Sequence, residues 1–140
     1  MSALVLIGAL SGCSADSAAR GSLSQSAGTA ASAARSAGLA LGLDEDDHLL
    51  PTVLDTGLSD SADRLGQEAQ TVATMTAIGG IGARRDSVLA DIRAAQDAVA
   101  SAQRAVAAGR DSGSVLDRQR RELDRLAKDL DAASKRLERG

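Results

Sequence analysis

Two side chains stand out for their chemistry because each type occurs once in the chain: Cys13 and His48. His48 ends the segment DEDDH, residues 44–48, which also gathers four carboxylates. Carboxylates beside a histidine are candidate ligands of a divalent cation, but neighbours in sequence point in different directions and this spacing does not match a calcium-binding loop. We therefore interpret these acids as residues at the start of the next helix, where the positive end of the helix dipole favours them.

The sequence offers little support for other catalytic or metal-binding arrangements. A di-iron bundle needs a Glu-x-x-His pair on each of two helices, which a single histidine rules out. There is no G-x-S-x-G elbow for a Ser-His-Asp triad. GGIGARR, residues 79–85, lacks the Lys-Ser/Thr of a phosphate-binding loop and follows a predicted helix, so we interpret it as a helix–helix connection. We expect a protein that is not an enzyme and holds no metal or other cofactor.

Composition argues against nucleic acid as a partner. The chain has no Phe, Trp or Tyr, and base stacking needs aromatic faces. The net charge of −3 is too small to imply such a partner by itself. Residues 1–83 carry 3 basic and 9 acidic groups, whereas residues 84–140 carry 13 and 10. The basic half is interleaved with acids, which is typical of a solvated helix face.

The segment before Cys13 indicates what this cysteine does. ALVLIGAL, residues 3–10, is far shorter than the ~20 residues of a membrane span, but its length suits the apolar region of a signal peptide. It runs into Leu10-Ser11-Gly12-Cys13. This motif resembles the lipobox of bacterial lipoprotein precursors, in which an aliphatic residue and two small residues precede a cysteine.

The resemblance implies a location and no activity. It makes Leu10, Ser11 and Gly12 the signal-peptidase recognition residues and Cys13 the lipidated residue and mature N-terminus. We expect a signal peptide at 1–12, a lipidated cysteine and flexible tether at 13–22, and a helical bundle domain at 23–140, because Ser/Gly/Ala composition suits a tether. As a catalytic nucleophile, Cys13 would lack an evident base.

The function expected is that of a lipid-anchored binding or scaffold protein on the extracytoplasmic face of the cell membrane, with another envelope protein as partner. Arg outnumbers Lys and Ala is abundant, which is typical of a GC-rich genome such as an actinobacterial one. The alternative is an intracellular coiled-coil adaptor without an anchor, since no Lys or Arg precedes the apolar run.

The body of the chain predicts an all-α fold with four helical segments. Residues 84–108 and 114–139 carry heptad seams and are joined by five residues, so they should fold back as an antiparallel coiled-coil hairpin. Residues 49–78 carry an apolar stripe with Pro51 in the first turn. Residues 23–41 are the weakest helix, because Gly28 and Gly38 each cost ~1 kcal/mol relative to Ala. The predicted core residues of the four segments, in this order, are Val88, Ile92, Ala95, Val99, Ala102, Val106; Leu116, Gln119, Leu123, Leu126, Leu130, Ala133, Leu137; Leu54, Leu58, Ala62, Leu65, Ala69, Val72, Thr76; and Leu23, Ala27, Ala30, Ala34, Ala37, Leu41.

These segments should form an up-down-up-down antiparallel bundle. Two alternatives stay open: three helices with a loose N-terminal helix, or a hairpin of residues 84–139 that pairs between chains as a homo-oligomer. On the solvent face of the last helix we expect three ion pairs, Asp117–Arg121, Asp124–Lys128 and Asp131–Lys135, each contributing ~0.2–0.5 kcal/mol. The uncharged run TVATMTAIGGIGA, residues 71–83, is interpreted as a buried helix end.

Overall fold

The computed structural model describes residues 11–45, 51–77, 79–109 and 113–140. These ranges contain no strand and form four helices: α1 Ser11–Glu45, α2 Pro51–Thr74, α3 Ile81–Ala107 and α4 Gly113–Glu138. The predicted all-α bundle is therefore confirmed in its four-helix form. The N-terminal segment is a packed helix and not a loose one.

The helices are arranged so that each packs against the next one in the chain and α1 also packs against α4. This is the square of neighbours expected for an up-down-up-down bundle with short connections. The interface between α1 and α4 is the most extensive of the four. The first and last helices therefore close the bundle, and most of the predicted seam residues of α3 and α4 are buried within a single chain.

The core is built from Leu, Val and Ile on three helices facing an alanine-rich α1. All six residues predicted for the buried face of α1 are at most 1% exposed. Most of the core residues predicted for α2, α3 and α4 are buried as well. The prediction is wrong for Thr76, which is exposed beyond the end of α2. The remaining predicted core residues are only partly covered: Ala62, Ala69, Val106, Leu116, Gln119 and Ala133. Without aromatic rings, close helix approach along the alanines replaces bulky side chains in filling the interior. The buried apolar residues are Leu23, Ala27, Ala30, Ala31, Ala33, Ala34, Ala37, Leu41, Leu54, Leu58, Leu65, Val72, Ile81, Val88, Ile92, Ala95, Ala98, Val99, Ala102, Leu123, Leu126, Ala127, Leu130 and Leu137.

The N-terminal part of α1 differs from the sequence prediction. The sequence predicts a flexible tether at residues 13–22, but α1 begins at Ser11 and runs through this segment. Two contacts favour the helix: Asp16 and Arg20 form an ion pair of 2.8 Å at i,i+4 spacing, and Ala19 packs against the core. Small residues are compatible with a helix when neighbouring helices cover one of its faces.

The ion pairs of α4 match the prediction in two of three cases. Asp117–Arg121 and Asp131–Lys135 form contacts of 2.9 and 2.7 Å. The prediction of an Asp124–Lys128 pair is wrong. The Asp124 carboxylate instead lies against α1, where a Cβ built on Gly38 would be 3.0 Å from its Oδ1.

The connection between α2 and α3 also corrects a prediction. α2 ends at Thr74, and in residues 71–83 only Val72 and Ile81 are buried among those described. Thr76, Ala77, Gly79 and Gly80 are exposed. The turn needs a residue at positive φ, which Gly79 supplies at 63°. The run therefore comprises the end of α2, an exposed turn and the start of α3, and the prediction of a buried helix end is wrong.

Candidate functional site

The residue with the clearest predicted chemistry, Cys13, lies in the first turn of α1. Of the motif around it, Ser11 and Gly12 belong to the same turn, and Leu10 lies outside the described residues. At 1.5 Å of rise per residue, the helix places Cys13 about 4.5 Å along its axis from Asp16. Cys13 therefore sits about one helical turn from residues that contact the rest of the bundle.

Two other segments meet α1 at this end of the bundle. A Cβ built on Gly79, in the α2–α3 connection, would lie 3.7 Å from Asp16 Oδ1. A Cβ built on Gly140, just beyond α4, would lie 3.5 Å from Arg20 Nη1. We call this region the Cys13 end of the bundle and define it by residues 13–23, 71–77, 79–87 and 133–140.

Arginines from three helices surround the Cys13 end. Arg20 of α1 and Arg84 of α3 line a small cavity of about 120 Å³ with Asp16. Arg84 and Arg136 of α4 line a second one of about 130 Å³. Arg20 is paired with Asp16 at 2.8 Å. Arg84 and Arg136 are exposed, and neither forms an ion pair within 4 Å among the described residues.

A fourth arginine has a structural role at this end. Arg85 Nη1 donates a hydrogen bond of 3.0 Å to the carbonyl oxygen of Met75, which follows the last turn of α2. Its Nε and Nη2 donate to Asp86 Oδ1 at 3.0 and 2.8 Å. A cation beside the final carbonyls of a helix stabilises the negative end of its dipole. Arg85 therefore fastens the end of α2 to the start of α3.

A shallow groove of about 700 Å³ runs between α1 and α4 beside the same end. Its lining is rich in hydroxyl and amide groups, with Arg20 and Glu138 at its margin. The floor is closed where Ser24 and Ser134 hydrogen-bond to each other. The groove is a polar surface depression, and sequence reasoning missed it because it requires two helices from opposite ends of the chain.

The acidic segment 44–48 is only partly described. Asp44 and Glu45 belong to the last turn of α1, so our interpretation that they begin the next helix is wrong for these two. Asp46, Asp47 and His48 lie outside the described residues. Within the described part of the chain, no group of three or more His, Cys, Asp or Glu side chains is placed to hold a metal ion.

The segment GGIGARR forms a helix–helix connection and the start of α3, as interpreted from the sequence. Gly79 and Gly80 make the turn, and α3 begins at Ile81. Leu39, Leu43 and Val53, at the opposite end of the bundle, are the large apolar side chains that remain exposed among the described residues. None of the four described helices combines the length and the apolar character that a membrane span requires.

Comparisons with known proteins found no match for this chain, whether against protein-family models, curated proteins or solved structures.

Proposed function

We propose that this chain is a lipid-anchored helical binding or scaffold protein of the bacterial cell envelope, held on the extracytoplasmic face of the membrane through Cys13. The observation that carries the proposal is Leu10-Ser11-Gly12-Cys13 directly after an apolar run of signal-peptide length. The residues before the cysteine are small, as a peptidase that grips an extended backbone requires.

The position of Cys13 in the fold is compatible with an anchor. It lies in the first turn of α1, at one end of a four-helix bundle, with the other three helices packed alongside the rest of α1. An acyl chain on this residue would leave the lateral faces of the bundle free. The polar groove between α1 and α4, of about 700 Å³, is then a concave surface that a partner could occupy.

Fatty-acid labelling tests the anchor. A bacterial host expressing the full-length gene is grown with a clickable fatty-acid analogue, and we expect label on the wild-type chain in the membrane fraction. Cys13→Ser should lose the label. The matched control combines Cys13→Ser with Ser14→Cys, which keeps one thiol but displaces it from the motif.

The labelling pattern distinguishes lipoprotein processing from ordinary thioester acylation and from an unanchored intracellular chain. Label lost in both variants supports lipoprotein processing. Label retained in the displaced-thiol control would indicate ordinary thioester acylation and contradict the proposal. An unlabelled wild-type chain in the cytosolic fraction would favour the alternative, an intracellular coiled-coil adaptor.

A further inference from the structure

We infer that the Cys13 end of the bundle is a docking surface for anionic phospholipid. The end of the bundle then contacts the lipid headgroups directly, without a flexible tether between the domain and the bilayer. The inference rests on the proposed function for its orientation, because the lipid anchor would bring this end to the membrane. The surface itself is argued from the charges and contacts of the described residues.

The distance between Cys13 and the bundle is the first step. α1 is continuous from Ser11 through the contacts of Asp16 and Arg20 with the α2–α3 connection and the end of α4. About one turn of helix separates Cys13 from Asp16, and about two turns separate it from Arg20. An acyl group on Cys13 would therefore place the end of the bundle within the ~8–10 Å over which charges act at ordinary ionic strength.

The charge of the Cys13 end is the second step. Its described residues include six basic and three acidic side chains, so the side-chain charge is +3 in a chain whose net charge is −3. The opposite end, residues 36–43, 51–61, 101–109 and 113–122, has four of each sign and is balanced. The basic residues of the Cys13 end are Arg20, Arg84, Arg85, Lys135, Arg136 and Arg139.

The exposure of these cations is the third step. Arg84, Arg136 and Arg139 are exposed and form no ion pair among the described residues, while Lys135 is 61% exposed although paired with Asp131. Arg84 directly follows a turn whose described residues, between Thr74 and Arg84, carry no charge, and Arg136 shares a cavity with Arg84. Basic side chains beside an uncharged turn suit an anionic lipid surface, since lipid phosphates can meet the cations. The carboxylate that lies next to this turn, Asp16, is already paired with Arg20.

Vesicle sedimentation tests the inference without the anchor. The full chain carrying Cys13→Ser is mixed with vesicles of phosphatidylcholine alone, or of equal parts phosphatidylcholine and phosphatidylglycerol, at low salt. We expect stronger partitioning onto the anionic vesicles, weakened by added NaCl. The double variant Arg84→Gln with Arg136→Gln should lose on the order of 5-fold in partitioning for each arginine removed.

The matched control removes two arginines from the other end, Arg118→Gln with Arg121→Gln, and circular dichroism checks that both double variants fold. Partitioning should be unchanged in this control. An equal loss in the two double variants would show a response to total charge and overturn the inference. Equal binding to both vesicle types would overturn it as well and would assign the binding to apolar residues 1–12. Because the chain in this assay cannot be lipidated, its result is independent of the labelling experiment.

Discussion

Ser24 and Ser134 exchange hydrogen bonds across the α1–α4 interface although 110 positions separate them in the chain. The Ser134 hydroxyl donates to the Ser24 carbonyl oxygen at 2.9 Å, and the Ser24 hydroxyl donates to the Ser134 carbonyl oxygen at 3.1 Å. Because a serine side chain is short, its hydroxyl can reach a carbonyl oxygen of the other helix only where the two backbones lie close together. Gly28, one turn further along α1, helps, since a Cβ there would sit 3.4 Å from Ser134 Oγ.

Enlarging Ser134 should therefore destabilise the bundle more than removing its hydroxyl. Ser134→Ala loses hydrogen bonds worth about 0.5–1.5 kcal/mol each. Ser134→Leu should add a further ~1–3 kcal/mol, because a large side chain forces two close backbones apart. Urea titrations measure both, with Ser32→Leu at an exposed position of α1 as the control for helix effects. If Ser134→Leu is no worse than Ser134→Ala, the helices are not closely packed there.

Two glycines of α1 should respond differently to the same substitution. Gly21 has no atom within 4 Å of an added Cβ, so Gly21→Ala should gain up to about 1 kcal/mol of helix stability. At Gly38 the added Cβ would meet Asp124 Oδ1 at 3.0 Å, so Gly38→Ala should gain less. Thermal melts of the two variants compare them directly, and an equal gain would mean that Asp124 does not lie against Gly38.

The buried leucines of α4 should contribute more to the free energy of unfolding than the ion pairs on its surface. Leu126 is 1% exposed, and truncating a buried leucine to alanine costs about 2–5 kcal/mol. Asp131 pairs with Lys135 at 2.7 Å on the surface, where solvent screens the interaction. Leu126→Ala should lower the urea midpoint clearly, and Asp131→Asn should change it little. A larger loss of stability for Asp131→Asn would contradict the assignment of the leucine face of α4 as the buried face.

Two carboxyl groups should give opposite dependences of stability on pH. Burial raises the pKa of Asp91 above its usual 3.8, and Asp129 adds to this, whereas Arg125 and Arg136 act against it. The folded chain then holds this proton more tightly than the unfolded chain, so ionisation of Asp91 weakens folding. Asp91→Asn should raise the melting temperature at neutral pH, and the gain should shrink as pH falls toward 3.8.

Glu122 is the matched comparison. A hydrogen bond from Arg125 lowers the pKa of Glu122 below its usual 4.5. Its contribution to stability is present above pH 4.5 and is lost as pH falls through the lowered pKa. Glu122→Gln should therefore lower the melting temperature at neutral pH and have no effect in strong acid. The same sign of change for both variants at neutral pH would contradict this assignment.

The sequence predicts some of these features well and others poorly, for physical reasons. The seam of α4 is clear because leucines at heptad spacing contrast with charged neighbours, and Leu123, Leu126 and Leu130 are all buried. α1 lacks that contrast, since Ala, Ser and Gly occupy its buried and exposed faces alike. The extent of α1 therefore depends on packing, and the segment 13–22, for which the sequence predicts a flexible tether, is helical.

Features that depend on two helices could not be predicted from one. The i,i+4 rule pairs Asp124 with Lys128 because it considers a single helix, but Asp124 lies against Gly38 of α1. Likewise, Arg84 and Arg136 share a cavity only because α3 begins where α4 ends. The basic residues of the Cys13 end are therefore brought together by the fold, whereas the motif around Cys13 can be recognised from the sequence alone.

Mass spectrometry of the N-terminal peptide tests the central claim most directly, because it identifies both the first residue and its modification. The chain is purified from the membranes of a host that processes lipoproteins and is digested with trypsin, which cuts after Arg20. The proposed function predicts a peptide that begins at Cys13 and carries a diacylglyceryl group on sulfur. A peptide that continues upstream of Cys13 with an unmodified thiol would contradict it.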